Sequence, residues 1–102
     1  MPGIYNESVN PLDGVRSFDW DAGNLTKNEV AHGVTKEEAE QVFTRPVVVA
    51  DDLRHSAKEP RWNAFGKTDA GRLLALAFTR RGENLRIISA RDQSRRERKR
   101  YA

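Results

Sequence analysis

Leu85-Arg86-Ile87-Ile88-Ser89-Ala90-Arg91, followed by Asp92-Gln93 and then Ser94-Arg95-Arg96-Glu97-Arg98-Lys99-Arg100-Tyr101, is the stretch whose reading decides the fold of this 102-residue chain. Its first part alternates and is rich in β-branched residues, the pattern of a strand with one face buried. Ser94 and Glu97, three apart, can satisfy each other's backbone N–H groups, which is a capping-box helix start. A buried strand therefore runs straight into a cationic helix.

At 3.6 residues per turn, Arg95, Arg96, Lys99 and Arg100 share one side of that helix, while Ser94, Glu97, Arg98 and Tyr101 share the other. Arg95 and Arg96 stand in the first turn, where the helix dipole disfavours positive charge by ~0.3–1 kcal/mol each. Helix stability does not ask for them there. One reading is a solvated helix that is basic for solubility; the sharper one is a surface for polyanions. From Arg91 to Ala102 six Lys/Arg stand against Asp92 and Glu97, a balance of +4, whereas residues 1–90 carry 12 basic and 13 acidic side chains, a balance of −1. The net charge of +3 is thus a patch, the footprint of a nucleic-acid or other polyanion partner.

The length fits one domain with one modest core. Charged residues at 32% and hydrophobic ones at 37% suit a well-solvated globular domain rather than a disordered chain. No apolar run approaches the ~20 residues of a membrane span, and no signal-peptide pattern opens the chain, so a cytoplasmic protein is expected. With no cysteine, disulfides and thiolate-bound zinc are excluded, and two His at no ligand spacing make no case for a metal or other cofactor.

Upstream of the deciding stretch, residues 1–16 hold two Pro and two Gly with no useful period and read as a mobile leader; residues 17–102 form the domain. Phe18-Asp19-Trp20 reads as a short strand, and Asp21 as the N-cap of a helix reaching Ala31, stopped by His32-Gly33. Thr35-Lys36-Glu37-Glu38 is a second capping box, with Ala39, Val42 and Phe43 on one face and Pro46 ending the helix. Val47–Ala50, Arg61–Thr68, Arg72–Arg80 and the deciding strand follow as a four-strand meander. The fold class is α+β: a small antiparallel meander sheet, two N-terminal helices and a C-terminal basic helix. Thr68 opposite Arg72 and Arg80 opposite Leu85 would align Trp62, Phe78 and Ile87 on the core face, with Ala64, Leu76 and Ser89 next. The other face then carries Arg61, Thr79 and Arg86, with Asn63, Ala77 and Ile88 behind and Phe65, Ala75 and Ala90 beyond.

Phe18-x-Trp20-Asp21, Asn28-x3-His32-Gly33-Val34, Glu37-Glu38-Ala39 with Val42-Phe43, Arg61-x2-Ala64-x-Gly66, and Arg86-Ile87-Ile88-Ser89-Ala90-Arg91 followed by Arg95-Arg96-Glu97-Arg98 come in an order that resembles the BrnT toxins. That family is the ribonuclease half of a bacterial type II toxin–antitoxin pair. One departure stands out: Ala31 occupies the place where the family usually has Lys, and Lys27 lies one helical turn earlier. The resemblance implies a RelE-like microbial ribonuclease architecture, RNA cleavage that inhibits translation, on or off the ribosome, and a hetero-oligomer with a BrnA-like antitoxin.

Metal-independent RNA cleavage needs a base for the 2′-hydroxyl, an acid for the leaving 5′-oxygen, and cations for the charge developing at phosphorus. The catalytic candidates are Glu59 as base and Arg61 as phosphate clamp, two residues apart in extended chain across Pro60, with His32 and His55 as further acid–base groups. Arg80, Arg86, Arg91, Arg95 and Lys99 are the RNA-binding candidates. Each has a plainer reading. Glu59 and Arg61 can be a local ion pair, His32 a helix C-terminal cap, and His55 a solvated loop histidine. A basic nucleic-acid-binding or antitoxin-docking module without catalysis is the competing function.

Overall fold

The computed structural model describes residues 11–20, 32–52 and 59–101. Among these residues five strands and two helices follow one another as β1 (Ser17–Asp19), α1 (Lys36–Val42), β2 (Val48–Asp51), β3 (Trp62–Lys67), β4 (Leu73–Arg81), β5 (Asn84–Asp92) and α2 (Arg95–Tyr101). The helix expected between Asp21 and Ala31 lies outside the described residues. Among the described residues no helix is long and apolar enough to cross a membrane.

Strands β2 to β5 form the expected meander, each antiparallel to the next, but β1 lies against β5 and runs parallel to it, giving the order β1-β5-β4-β3-β2. The sheet is therefore mixed, which corrects the all-antiparallel sheet expected for a RelE-like arrangement. Of the helices, one precedes the meander among the described residues and one follows it. A three-residue alternation says that Phe18 faces inward; it carries no information about which edge it joins or in which direction. A parallel pair needs a crossover, here supplied by everything between β1 and β5.

Helix α1 begins as its sequence demands. Thr35 accepts from the Glu38 N–H and Glu38 reaches back to the Thr35 N–H, so two otherwise orphaned donors are satisfied. Gly33, just before it, adopts φ 64°, a left-handed conformation that favours glycine. The helix buries Ala39 and Val42 against β3 and β4, and it can come that close because of Gly66: a Cβ there would stand 2.9 Å from Val42 Cγ1. The core continues through Val34, Ala64, Leu74, Leu76, Phe78, Leu85, Ile87 and Ala90, all nearly or fully buried. Across it run Phe18, Phe43, Phe78 and Trp62, with successive ring centroids 5.9, 5.4 and 5.7 Å apart. Phe78 is thus a core residue, and Trp62 and Trp20 are partly buried against the core, the Trp20 indole N–H donating to Glu40 at 2.7 Å.

The register starts as expected, with Trp62 opposite Phe78 and Phe78 opposite Ile87, and Arg80 opposite Leu85. It then slips. Phe78 pairs with Ile87 but Ala77 pairs with Ser89, leaving Ile88 as the extra residue of a β-bulge. Beyond it every side chain of β5 changes face relative to the simple alternation. Ala90, not Ser89, enters the core, and Ser89 and Arg91 join Arg86 on the opposite, open face.

Residues 11–16 pack with this domain. Leu12 and Val15 lie against the core, and Arg16 donates its N–H to the Glu83 carbonyl at 2.8 Å. Positions 1–10 of the expected leader lie outside the described residues.

Candidate active site

The open face is organised in rows that cross the strands. In the first, Asp19, Arg86 and Thr79 are successive partners on β1, β5 and β4, and Arg61, one residue before Trp62, continues the row at the start of β3. Arg86 donates to Asp19 Oδ2 at 3.4 Å, and both side chains are largely covered. Thr79 is 1% exposed, and its hydroxyl donates to the Pro60 carbonyl at 2.6 Å. That bond holds the Glu59-Pro60-Arg61 entry against the sheet, where the fixed φ of Pro60 adds its own stiffness. Arg61 Nε is buried there. Glu59 lies at the rim, its carboxylate 3.6 Å from the Arg81 guanidinium.

The second row is Asn63, Ala77 and Ser89; the third is Phe65, Ala75 and Arg91. Helix α2 folds back over this third row. The Tyr101 ring stacks on Phe65 with centroids 3.9 Å apart and planes 10° from parallel, a large apolar contact for so short a helix. Glu97 receives two bonds from Arg91, at 2.7 and 3.0 Å, while completing the capping box with Ser94. Both sides of the helix thus behave as its spacing requires: Glu97 and Tyr101 face the sheet, and Arg95, Arg96, Lys99 and Arg100 line one exposed, cationic side.

The Arg91 guanidinium, with help from the Ser94 backbone N–H, holds the Glu97 carboxyl down to about 2. A carboxyl depressed by folding contributes stability above its unfolded value of about 4.5, and that contribution is lost as pH falls through about 2. Hydrogen-exchange protection along α2, taken relative to the intrinsic rate at each pH, should accordingly fall between those limits. Glu97→Gln should show fast exchange already at neutral pH, with no further change across that window.

The remaining expected residues divide. Arg80 falls at a strand end on the core side, as anticipated, and spends its donors on the carbonyls of Pro11 and Asp13 and, at 2.6 Å, of Gly82. It anchors residues 11–14. His32 is exposed and offers its carbonyl to Arg72 at 3.1 Å, beside Asp92. From Arg86 to Asp92 along β5 is about 20 Å at ~3.3 Å per residue, so His32 stands at the opposite end of the sheet from Glu59 and Arg61. His55 lies outside the described residues. The structure thus brings Glu59, Arg61 and Arg86 to one end of the open face, puts Arg91 two rows away on that same face, and leaves His32 apart.

Three residues escaped the sequence reading. Asp19 and Arg81 pair with Arg86 and Glu59, and only the β1–β5 pairing and the end of the β4 hairpin put them there. Arg72 is the third. It donates to Asp92 at 2.7 and 3.1 Å, to Glu38 at 3.2 and 3.3 Å, and to the carbonyls of Gly33 and His32, tying the end of β5 to the start of α1. Its position just after the Asp69-Ala70-Gly71 turn was the one available signal. Among the described residues no three His, Cys, Asp or Glu side chains gather as a metal site.

Comparison with known proteins agrees with this architecture. The crystal structure of the Brucella abortus ribonuclease toxin BrnT superposes with a TM-score of 0.58 and 24% identity, covering 79% of this chain and 100% of that one, a likeness of fold. No curated protein sequence matches significantly. A family model described as "Ribonuclease toxin, BrnT, of type II toxin-antitoxin system" matches residues 20–97, which takes in β2 to β5, both capping boxes and the first three residues of α2. The chain belongs to the BrnT family of ribonuclease toxins of type II toxin–antitoxin systems.

Proposed function

We propose that the chain is an endoribonuclease that cleaves RNA on the open face without a metal ion, inhibits translation in the cytoplasm, and is neutralised by a BrnA-like antitoxin. One observation carries the reading: Arg61 and Arg86 flank Thr79 in one row, with Glu59 at its rim. A phosphodiester docked at this row meets both guanidinium groups. These supply planar N–H donors for the two non-bridging oxygens, whose charge grows as the pentacovalent phosphorus forms. Asp19 orients the Arg86 guanidinium by one of its edges.

Glu59 takes the proton from the 2′-hydroxyl, which attacks the adjacent phosphorus and expels the 5′-oxygen, leaving a 2′,3′-cyclic phosphate. Arg81, 3.6 Å away, positions the carboxylate. Of the two histidines, His55 stands four residues before Glu59 in sequence and is our choice for the acid that protonates the leaving oxygen. His32, at the far end, serves RNA binding or structure in this reading.

The cationic side of α2 holds the rest of the RNA chain. Replacing Arg95, Lys99 and Arg100 with Gln should weaken RNA binding and reduce the slope of log affinity against log salt by about 2, since each phosphate contact on a single strand contributes ~0.7. An unchanged slope would remove α2 from the RNA path. Incubating the chain with RNA in EDTA tests the chemistry itself: cleavage should persist. Binding without cleavage, with or without magnesium, would instead leave a nucleic-acid-binding module.

A further inference from the structure

Between the second and third rows of the open face and helix α2 lies a cavity of about 80 Å³, lined by Asn63, Phe65, Ala75, Ala77, Ser89 and the Arg91–Glu97 pair, with the Leu76 backbone beneath. No step in the cleavage scheme above uses it. Its floor is made of two alanines, so the backbone of β4 is within reach of a ligand, and its walls are an aromatic ring and an ion pair held by two hydrogen bonds. At the mouth stand an amide and a hydroxyl, Asn63 and Ser89, which lie opposite each other across Ala77. Each is both donor and acceptor. Among the described residues neither side chain makes a hydrogen bond.

We propose that this cavity is a pyrimidine-base subsite, which receives the nucleobase next to the phosphate held by Arg61 and Arg86. The inference rests on the ribonuclease reading for the identity of the neighbouring phosphate, and on the cavity alone for the base. Three features converge on it. The volume, roughly half of the ~150 Å³ that encloses a benzene ring, admits the edge of one six-membered ring and is small for the fused rings of a purine. The Asn63–Ser89 row is two residues along the strands from the Thr79–Arg86 row, about 6.6 Å, which is the reach from a backbone phosphate to the base of its own nucleotide. The paired donor and acceptor groups match the alternating edge of uracil or cytosine, and an unstacked base is what a single-stranded RNA reader takes up.

The bulge at Ile88 creates the subsite. With unbroken alternation, Ser89 and Arg91 would point into the core and Ile88 and Ala90 would occupy this face. The Tyr101–Phe65 stack and the Arg91–Glu97 pair then close the far wall, so the base enters from the Arg86 side.

The test is a ¹⁵N NMR titration of the full chain with uridine 5′-monophosphate, cytidine 5′-monophosphate, adenosine 5′-monophosphate and inorganic phosphate, reading the Asn63 side-chain amide and the Ser89 and Ala77 backbone amides. Both pyrimidine nucleotides should shift these resonances while phosphate alone shifts only the Arg61 and Arg86 region. Ala77→Leu fills the cavity and should abolish the pyrimidine-specific shifts. Asn63→Ala and Ser89→Ala, one hydrogen-bonding group each, should weaken pyrimidine affinity by about fivefold apiece, and they serve if the leucine variant fails to fold. Equal shifts with adenosine monophosphate, no shifts at these residues, or full retention in the variants would overturn the subsite. Failure of the ribonuclease reading is a different result: a wild-type chain that leaves RNA intact yet shows the pyrimidine-dependent shifts keeps the subsite and loses the enzyme. A chain that cleaves without them does the reverse.

Discussion

Exchanging Glu59 for Gln together with Arg61 for Ala should abolish RNA cleavage and growth inhibition while leaving the fold intact. A positioned general base contributes ~10²–10⁴-fold and a cation at the developing phosphorane charge a further ~10²-fold, so a combined loss of at least about a thousandfold is expected. The fold should survive because neither side chain belongs to the buried core. Glu59 is partly exposed, its ion pair with Arg81 lies near the surface, and the Thr79–Pro60 bond that anchors this entry uses a backbone carbonyl which both substitutions leave in place. Thermal unfolding and a dispersed NMR spectrum check that, and cleavage of a defined RNA checks the rest. A double variant that still cleaves at the wild-type rate would remove this site altogether. Single variants separate the roles: Glu59→Gln should lower turnover with little change in RNA affinity, and Arg61→Ala should lower both.

Arg72→Ala should give the largest loss of stability among surface-facing positions. Its guanidinium bonds two carboxylates and two carbonyls from three parts of the chain, and its removal strands all four acceptors at once. Hydrogen bonds to charged groups are worth ~1.5–3 kcal/mol each in a covered setting, but Asp92 is more than half exposed and must be discounted. A net cost of about 2 kcal/mol follows, a drop of roughly 10 °C in Tm for a domain of this size. The acid dependence gives a second signature. The Asp92 carboxyl is held below its ordinary value mainly by Arg72, and Glu38 is held down by the Thr35 backbone N–H first and Arg72 second. Both depressed groups contribute fully above their unfolded values of 3.8 and 4.5, and the contribution falls away as pH drops below them. Wild-type stability should therefore decline with acid more steeply than that of the variant, and denaturant titrations at pH 6 and pH 3 should show the two converging. Parallel curves would mean that Arg72 is not the hub of this network.

The two halves of the chain's functional surface became visible at different levels. Residues 94–101 were legible in sequence because a helix's faces follow from 3.6-residue spacing alone. Ser94 and Glu97 must cap, Glu97 and Tyr101 must share a side, and the other side must be cationic whatever the helix packs against. The pairing of β3, β4 and β5 was legible for a similar reason, since the two loops that join them are short and constrain which residues face each other near the turns. The first row, Arg61 with Thr79 and Arg86, came out of that argument because it lies close to the β4–β5 turn, before any irregularity can intervene.

What the sequence by itself determined, then, was the set of described strands and helices, both described helix starts, Trp62 and Phe78 on the core face, and the arginine row. Tertiary structure alone decided the rest. Nothing in Ile87-Ile88-Ser89 announces a bulge, because three residues of similar strand preference can be paired in either register, and the choice is made by whether Ser89 or Ala90 fits the packed core; the small, apolar Ala90 does. Nothing in Phe18-Asp19 says that Asp19 will meet Arg86, because edge choice and strand direction depend on where the crossover leads. The separation of His32 from Glu59 has the same origin: a motif is local in sequence, while a catalytic site is made by the sheet that spreads or gathers its members. The stretch from Leu85 to Tyr101 proved to hold both kinds of information, a helix dictated by its own spacing and a strand whose second half took its direction from the core.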